Sequence, residues 1–304
     1  MAGATKRYAV VTGANKGLGL EICRQLASQG ITVVLTSRDE NRGLQAVEKL
    51  TASGLSDHVI FHRLDVAEED SATALSEFIK SQFGKLDILV NNAAVTGSDI
   101  NWELLDPTRD QGATGALSAG KVDHIDWSGV ANATYDLVAQ AIQTNYYGTI
   151  KTTKALLPLL SLSNSPRIVN ISSIAAKLEH IPSEWAKGIL SNEENLTEER
   201  IDKVVSEFVE DFKEGRVKAK GWPNYMGAYI VSKAAINAYT KLLAKQYPTF
   251  RINSVCPGYI KTDMNNHTGT VPVNEGAAGP VKLALLPDDG PSGCFFVDKD
   301  LPEL

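Results

Sequence analysis

Short apolar segments with strand character alternate with amphipathic segments of helical length along most of this chain. The predicted strands are residues 8–11, 32–36, 59–63, 86–91, 167–171 and 251–255. The predicted helices are residues 18–29, 40–50, 67–83, 145–160 and 227–247. Because such alternation is typical of parallel strands joined by crossover helices, we expect an α/β fold, a doubly wound parallel sheet with helices on both faces.

Two irregular segments interrupt this alternation, at about residues 97–135 and 181–225. The first is rich in Gly, Asp and Ser, and the second separates a predicted strand from the helix at 227–247. A length of 304 residues by itself suggests about two domains. Because the strand pattern resumes after each segment, we interpret both as insertions in one domain spanning residues 1–304.

The second insertion contains apolar residues at helical spacing. They are Ile201, Val204, Val205, Phe208, Val209 and Phe212. This spacing predicts a strongly amphipathic helix, with Asn195 or Thr197 as its candidate N-cap. We favour a helix packed against the body of the domain. The alternative is a cover over a substrate cleft, and both interpretations can hold at once.

Charge and cysteine content narrow the possible partners and cellular locations. A net charge of -6 and a pI near 5.5 argue against nucleic acid or an anionic membrane as a partner. No apolar run reaches the ~18 residues of a membrane span, and no apolar signal segment precedes the first strand. The three cysteines are too few and too far apart for a disulfide framework or a zinc site. We therefore expect a cytoplasmic protein without a metal centre.

A glycine-rich turn at residues 12–19 follows the first predicted strand and precedes a helix. Its candidate cofactor-binding residues are Gly13, Asn15, Lys16, Gly17, Leu18 and Gly19. Glycines there let the backbone approach a phosphate closely, and the helix N-terminus carries partial positive charge. The strand–turn–helix context predicts a dinucleotide site of the Rossmann type.

The end of the second predicted strand indicates which dinucleotide binds. A site for NAD usually has a carboxylate about 20 residues beyond the glycine-rich turn, but Ser37 stands there. Arg38, Arg42 and Lys16 supply positive charge instead, which favours the 2′-phosphate of NADP. A solvated helix residue is an equally good interpretation of Arg42, and we interpret Asp39 as the cap of the next helix.

These residues and several further motifs resemble those of the short-chain dehydrogenases/reductases, specifically the carbonyl-reductase-like group with an extended insertion. The resemblance covers nearly the whole chain. It rests on Thr12-Gly13-x3-Gly17-x-Gly19, Asp65-Val66, Asn91-Asn92-Ala93-Ala94, Asn145, Ser172-Ser173, Tyr229-x3-Lys233 and Pro257-Gly258 through Thr262. Within the group, the chain is similar to plant menthone/neomenthol reductases and salutaridine reductase. Ala94 replaces the glycine of the family pattern, a conservative departure.

The resemblance assigns cofactor contacts to residues beyond the glycine-rich turn. Asp65 would hydrogen-bond the adenine amino group, and Val66, the next residue, would contact the adenine through its backbone. Asn91 would hold the central sheet and the cofactor ribose region, and a structural role is as good an interpretation of Asn92. The remaining expected contacts are Asn92, Ala93, Tyr229, Lys233, Pro257, Gly258 and Thr262. The last three would contact the nicotinamide carboxamide.

Tyr229 and Lys233 lie four residues apart, which places both side chains on one face of a helix. A nearby ammonium favours the phenolate, so we expect Lys233 to bring the tyrosine pKa of ~10 closer to neutrality. Lys233 would also hold the nicotinamide ribose. By resemblance, Ser173 bonds the substrate oxygen and Asn145 holds a water that links Lys233 to solvent. Ser172 is the alternative to Ser173.

The resemblance also implies a reaction and a class of substrate. NADPH-dependent reduction of a hydrophobic cyclic ketone, terpenoid or alkaloid, to a secondary alcohol is expected, as in plant specialised metabolism. Relatives that reduce a conjugated double bond have glutamate in place of the tyrosine, so Tyr229 favours carbonyl reduction over ene reduction. A non-catalytic NADPH sensor is the alternative from another class. It would not need Ser173, Tyr229 and Lys233 together.

The substrate cleft and the oligomeric state are expected to depend on the insertions. The expected cleft residues are Val95, Thr96, Met264, Asn265, Asn266 and His267, and no specific role is assigned to His267. Trp185 and Trp222 either face an apolar substrate or pack in the core or at the surface. Short-insert relatives pair through the helices around the tyrosine. An added helix would cover that surface, so we expect a monomer.

Overall fold

The computed structural model describes residues 6–105, 127 and 129–297. Within these ranges, seven parallel strands form one sheet in the order β3-β2-β1-β4-β7-β8-β9, and β5 pairs antiparallel with β6. The strands are β1 (Tyr8–Val11), β2 (Thr32–Ser37), β3 (Val59–Arg63), β4 (Ile88–Asn91), β5 (Asp99–Ile100), β6 (Ala131–Asn132), β7 (Arg167–Ile171), β8 (Arg251–Cys256) and β9 (Phe295–Val297). The strand order changes direction between β1 and β4, which is where a doubly wound sheet opens a crevice for ligands.

Helices connect the strands. They are α1 (Gly17–Ser28), α2 (Glu40–Leu50), α3 (Glu69–Phe83), α4 (Tyr135–Ile142), α5 (Gly148–Leu160), α6 (Glu184–Leu190), α7 (Glu198–Lys213), α8 (Gly227–Gln246) and α9 (Val273–Ala284). Single-turn 3₁₀ segments lie at Ser56–His58, Trp102–Leu105, Ile174–Ala176, Leu178–His180 and Asp263–Asn265. A π-helical stretch, Gln143–Tyr147, joins α4 to α5, and another, Thr51–Leu55, follows α2.

Both faces of the sheet are buried under helices. In β1, Val10 belongs to one apolar cluster, whereas Ala9 and Val11 belong to the other. The first cluster draws on α3, α4, α5 and α8, and the second on α1, α2 and α9. Because successive strand residues point to opposite faces, a sheet covered twice needs the nearly continuous apolar strands seen in the sequence.

Helix α7 packs against the body of the domain, as favoured from its sequence pattern. Ile201, Val204, Val205 and Phe208 are buried in the larger cluster, and the helix contacts α4 and α8. Its N-cap is Thr197, whose side chain accepts a hydrogen bond from the backbone N–H three residues on. Of the two candidate caps, the structure therefore selects Thr197.

A buried carboxylate closes the end of α7. Asp211 accepts hydrogen bonds from Trp222 Nε1 at 2.7 Å and from Arg216 Nε at 2.8 Å. Trp222 is only 2% exposed, and its ring also contacts Phe208 and Trp185. Trp222 is therefore a core residue, which selects core packing over the alternative of facing a substrate. Trp185 is 42% exposed.

The predicted α/β class and doubly wound parallel sheet are confirmed. Element bounds differ mainly at the helix predicted for 145–160, because the helical backbone already begins at Tyr135 and passes through the π-helical stretch. The pattern did not predict α9 or β9. Residues 106–126 and 128 of the first predicted insertion, with residues 1–5 and 298–304 of the predicted domain, lie outside the described residues.

Among the described residues, no helix combines the length and apolar character needed to cross a membrane. The same residues contain no group of three or more His, Cys, Asp or Glu side chains placed to hold a metal ion.

Candidate active site

The segments that follow β1, β2, β3, β4, β7 and β8 carry all the candidate site residues except Asn145, Tyr229 and Lys233. Parallel strands place these segments along one edge of the sheet. The other three candidates lie on the π-helical stretch and on α8, which pack together. The fold thus brings residues that are up to 250 positions apart in sequence to one edge of the sheet.

The glycine-rich turn packs tightly against the segment after β4. Asn92 Nδ2 donates to the backbone oxygens of Thr12 and Gly13, and the Thr12 hydroxyl accepts from the N–H groups of Asn92 and Ala93. Gly13 has φ +61°, and a Cβ there would lie 2.9 Å from Ala93 Cα. Asn92 and Ala93 therefore shape the turn rather than project from it.

The N-terminus of α1 is open toward the cleft. Among the described residues, no side chain caps it, because Lys16 at the cap position makes no capping hydrogen bond. Gly17 has φ +55°, and the position where a Cβ would stand faces the Thr262 methyl group across the turn. An uncapped helix end with close backbone approach is the arrangement that binds a phosphate group.

Two arginines, Arg38 and Arg63, lie at the neighbouring ends of β2 and β3. Arg63 Nε donates to the backbone oxygen of Arg38 at 3.2 Å, and Arg63 stands opposite Ser37 in the strand register. Both arginines are exposed, and the ion pairs among the described residues leave both without a carboxylate. Two adjacent cations of this kind favour an anion between or beside them.

The other predicted phosphate-binding cations are paired with carboxylates. Arg42 contacts Asp39 at 3.5 Å, and Asp39 caps α2 as predicted. Lys16 Nζ contacts Asp263 Oδ2 at 2.8 Å, across the mouth of the turn. Both pairs are largely exposed, so each is weak enough to exchange for a phosphate.

Asp65 and Val66 occupy the segment after β3. Asp65 Oδ1 accepts from Ala67 N–H at 3.0 Å, which orients the carboxylate, and part of the residue remains exposed. Val66 is 7% exposed and packs against Gly148, so only its backbone can face the cleft. Asn91 is buried and bonds Thr153 and Asn170, so its side chain joins elements of the core.

Ser173 and Tyr229 hydrogen-bond to each other through their side chains. Ser173 is partly exposed at the end of β7, where its oxygen also accepts from Ala175 N–H at 3.2 Å. Ser172 is 2% exposed, and its hydroxyl has no partner among the described residues. The arrangement supports Ser173 over Ser172 as the serine that meets a substrate.

Lys233 lies beneath the tyrosine ring. Its Nζ is 5.8 Å from the ring centroid of Tyr229 and donates to the backbone oxygen of Ile171 at 2.6 Å. Lys233 is 3% exposed, and burial lowers the pKa of its ammonium to about 8. An ammonium has three donors, so two remain for ligand hydroxyls.

The protonation state of Tyr229 differs from the sequence expectation. Burial raises the pKa of its phenol to about 12, with Cys256 contributing in the same direction and the Ser173 hydrogen bond opposing them. The predicted lowering of the pKa is therefore wrong for the protein alone, because the loss of hydration on burial is the largest effect on the phenol. A phenol with this pKa keeps its proton at neutral pH.

Asn145 lies on the π-helical stretch and is fully buried. Its Oδ1 accepts from Val95 N–H at 2.9 Å, and its Nδ2 donates to Val95 O at 2.9 Å and to Ser232 Oγ at 3.1 Å. Both amide hydrogens are thus committed to protein groups. The expectation that Asn145 holds a water stays a prediction, and it can now involve only an oxygen of that residue.

The loop after β8 is fixed by its own hydrogen bonds. Pro257 is buried, Gly258 has φ +91°, and the Thr262 side chain caps the turn that follows. Asn265 donates to Ile260 O and accepts from Thr262 N–H, so its side chain is used within the loop. Of the expected cleft residues here, Met264 is the exposed apolar one, at 43%.

Three polar residues of the site were missed from the sequence. Arg63 is placed at the site by its strand register with Ser37. Asp263 is placed there by its pairing with Lys16, and Ser232 by its hydrogen bond with Asn145. A signal existed only for Arg63, which is a cation at the predicted end of a strand next to Arg38. The other two depend on contacts between segments distant in sequence.

The site fits a bound dinucleotide. Gly13 and Gly19 leave no room for a Cβ in the turn, and the helix end behind it has no side-chain cap. Arg38 and Arg63 form a cationic corner, in which neither pairs with a carboxylate among the described residues. Lys233 keeps two uncommitted donors beside the tyrosine. Along the sheet edge, Arg38 and Arg63 at β2 and β3 match the 2′-phosphate, the turn after β1 matches the pyrophosphate, and Lys233 beside β7 matches the nicotinamide ribose.

Comparison with known proteins is consistent with this geometry. Residues 7–111 match the model of the family described as short chain dehydrogenase. Residues 216–280 match the model described as Enoyl-(Acyl carrier protein) reductase.

Several individual proteins are similar over nearly their whole length. The chain is 56% identical to (+)-neomenthol dehydrogenase of Arabidopsis thaliana, with 100% of both chains covered. It is 52% identical to (-)-isopiperitenone reductase of Mentha piperita, with 96% of each covered. It is 36% identical to Carbonyl reductase [NADPH] 1 of Mus musculus, with 97% and 98% covered. The solved structure of salutaridine reductase from Papaver somniferum superposes with a TM-score of 0.88 at 46% identity, covering 96% of this chain and 99% of that one.

The packing of the glycine-rich turn can be tested with Gly19→Ala. The added Cβ would lie 2.5 Å from Asn92 Nδ2 and 2.9 Å from Ala14 Cα. Because Asn92 is tied down by two hydrogen bonds, we expect the free energy of unfolding to fall by about 2 kcal/mol. Chemical denaturation measures this. The control is Gly188→Ala in α6, where a Cβ meets no atom within 4 Å and a gain of about 0.5 kcal/mol is expected. Equal effects would contradict the assigned packing.

Proposed function

Because the chain belongs to the short-chain dehydrogenase family, we propose that it uses NADPH to reduce a hydrophobic cyclic ketone to a secondary alcohol. The observation that carries the proposal is the arrangement of Ser173, Tyr229 and Lys233. Two hydroxyls that hydrogen-bond each other lie beyond the end of β7, and a buried ammonium lies beneath the tyrosine ring. This geometry can bind and protonate a carbonyl oxygen next to the dinucleotide site.

The three side chains have separate tasks in this reaction. A bound nicotinamide supplies the hydride that adds to the carbonyl carbon. The Tyr229 phenol, protonated at neutral pH, donates its proton to the carbonyl oxygen. The Ser173 hydroxyl donates a hydrogen bond to the same oxygen and stabilises its developing negative charge. Lys233 holds the ribose hydroxyls and offers a positive charge near the phenol as the proton leaves.

We propose that Asn145 binds a water through which the proton given up by Tyr229 is replaced. Its side chain is committed to Val95 and Ser232, so a water would bind at its backbone oxygen, which already accepts from the Thr149 hydroxyl at 2.8 Å. A carbonyl oxygen has two lone pairs and can accept a second hydrogen bond. Such a water would lead from Lys233 toward solvent.

For the cofactor, we propose contacts along the sheet edge from the phosphates to the nicotinamide. The amides of Gly13, Asn15, Lys16, Gly17, Leu18 and Gly19 would surround the pyrophosphate. Arg38 would bind the 2′-phosphate, with Arg42 and Lys16 exchanging their carboxylate partners for it. Asp65 and Val66 would meet the adenine, Asn92 and Ala93 the ribose region, and Pro257, Gly258 and Thr262 the carboxamide. The NADPH in the name of the mouse relative supports this choice.

The substrate class is proposed from the relatives. Relatives at 46–56% identity are named for neomenthol, isopiperitenone and salutaridine, which supports a terpenoid or alkaloid ketone and a place in plant specialised metabolism. Incubation with a panel of cyclic ketones, enones and aldehydes, followed by chromatography of the products, tests this. A saturated ketone formed from an enone would indicate ene reduction instead.

We also propose that the protein is a cytoplasmic monomer built as one domain with two insertions. Helix α7 lies across α4 and α8, and Lys241 in α8 pairs with Glu193 just before α7 at 2.5 Å. These contacts cover the helices through which a second copy would otherwise pack. Sedimentation equilibrium should give the mass of one chain, and a stable dimer or tetramer would contradict this proposal.

The role of Tyr229 is tested by Tyr229→Phe. Removing the proton donor should lower the rate of NADPH oxidation with a reducible ketone by about 10³-fold, because general acid catalysis contributes 10²–10⁴-fold. NADPH binding, followed by fluorescence titration, should change less than about twofold. Tyr247→Phe at the far end of α8, which keeps its contact with Phe250, is the control and should retain full rate. Equal rates in wild type and Tyr229→Phe would refute Tyr229 as the proton donor, and no NADPH oxidation by wild type with any ketone would favour a non-catalytic NADPH sensor.

The pH dependence of ketone reduction follows from Lys233. Its pKa is lowered to about 8, so the ammonium is present below pH 8 and is lost above it, while Tyr229 keeps its proton up to about pH 12. We expect kcat/KM to be level below about pH 7 and to fall about tenfold per pH unit well above pH 8. Lys233→Arg should remove this fall between pH 7 and 10, since arginine stays charged. A wild-type profile that is level to pH 10 would contradict the assignment.

The 2′-phosphate site is tested by Arg38→Asp. Loss of a charge-assisted hydrogen bond, together with a new repulsive carboxylate, should weaken NADPH binding by about 100-fold. NADH, which lacks the 2′-phosphate, should bind within about twofold of wild type. Lys49→Gln on the exposed side of α2 is the control for loss of one positive charge. An unchanged NADPH affinity in Arg38→Asp would count against this phosphate site.

A further inference from the structure

Ser232 lies inside the Tyr229-Ile-Val-Ser-Lys233 segment of α8 and is fully buried. Its hydroxyl donates to the backbone oxygen of Tyr229 at 2.8 Å. The Ser232 hydroxyl oxygen in turn accepts a hydrogen bond from Asn145 Nδ2 at 3.1 Å. One hydroxyl therefore joins the helical turn that carries Tyr229 and Lys233 to the side chain of Asn145.

The orientation of the Asn145 amide is determined by its other partner. Val95 N–H donates to Oδ1 at 2.9 Å, and Val95 O accepts one Nδ2 hydrogen at 2.9 Å. Only the second Nδ2 hydrogen is left, and it points to Ser232. A continuous chain of hydrogen bonds thus runs from Tyr229 through Ser232 and Asn145 to Val95, in the segment after β4.

We propose that Ser232 is a positioning residue for the carbonyl reduction, and this inference rests on the proposed function. Its hydroxyl holds the π-helical stretch with Asn145, the segment with Val95 and the turn with Tyr229 in one arrangement. The phenol, the ammonium below it and the oxygen that would bind the relay water consequently keep their relative positions.

Because these groups are buried, removal of the Ser232 hydroxyl would leave a hydrogen-bond donor without a partner. The single hydroxyl hydrogen of Ser232 is donated to the backbone oxygen of Tyr229. The hydroxyl oxygen of Ser232 therefore acts as the acceptor for Asn145. In Ser232→Ala, the second Nδ2 hydrogen of Asn145 loses its partner inside a fully buried site, which is costly. The amide must then turn or shift, and both Val95 bonds change with it. Small displacements of catalytic groups lower rates strongly, because the near-attack geometry is lost.

The same helix contains a matched arrangement away from the site. Thr240 is also fully buried, donates to Ile236 O at 2.8 Å and accepts from Asn170 Nδ2 at 2.9 Å. Thr240→Val therefore removes an equivalent bridging hydroxyl from α8 two turns beyond Lys233. It reports the effect of losing such a bridge on stability without touching the proposed catalytic groups.

The experiment compares Ser232→Ala with Thr240→Val in the full chain. Both should lower the melting temperature by similar amounts. Ser232→Ala should lower kcat for ketone reduction about tenfold, with the Kd of NADPH within twofold of wild type, whereas Thr240→Val should keep kcat within twofold. A readout independent of turnover is hydrogen–deuterium exchange of residues 92–97 without cofactor. Exchange there should accelerate in Ser232→Ala and stay unchanged in Thr240→Val.

Three results would overturn the proposal. They are a kcat within twofold of wild type in Ser232→Ala, an equal loss of kcat in Thr240→Val, or unchanged exchange at residues 92–97 in Ser232→Ala. If the alanine variant does not fold, Ser232→Cys replaces it, because a thiol is a weaker acceptor, and about a threefold loss of kcat is expected. Failure of wild type to oxidise NADPH with any ketone would refute the proposed function instead, while the exchange comparison would still test the hydrogen-bond chain.

Discussion

A parallel sheet buried on both faces is the constraint on which the rest of this structure depends. With α3, α4, α5 and α8 on one side and α1, α2 and α9 on the other, a site that is open to ligands has no place on either face of the sheet. It must lie where the strands end, and parallel strands end at one edge. The glycine-rich turn, the arginine corner and Ser173 consequently meet there, although they come from different parts of the chain.

The second requirement is a small set of buried polar groups that are satisfied by each other. Asn145, Ser232 and Lys233 are almost without exposure, and each bonds backbone or side-chain atoms nearby. The π-helical stretch is what brings Asn145 to this position, an irregularity of a kind that often accompanies functional sites. Burial has an electrostatic consequence as well, since it keeps the tyrosine protonated and leaves the lysine close to losing its proton.

Predictions from the sequence succeeded where the structural feature depends only on residues within one short segment. Asp39 and Thr197 cap the helices that follow them, and the apolar stripe of α7 faces the core, because caps and helical stripes are local. They left open or missed what a distant partner decides. The core position of Trp222 beside Asp211 was one of two interpretations, the pairing of Lys16 with Asp263 was not predicted, and burial reverses the expected direction of the Tyr229 pKa.

The sequence by itself determined the class of fold, the cofactor and the family, because periodicity and motif spacing are properties of short segments and do not depend on knowledge of their neighbours in space. Only the tertiary structure decided that Ser173 rather than Ser172 faces Tyr229, that Arg63 joins Arg38, and that Ser232 bonds Asn145. These pairings join residues 25 to 87 positions apart. They exist because the sheet and its covering helices bring the segments within hydrogen-bond distance, which no local pattern encodes.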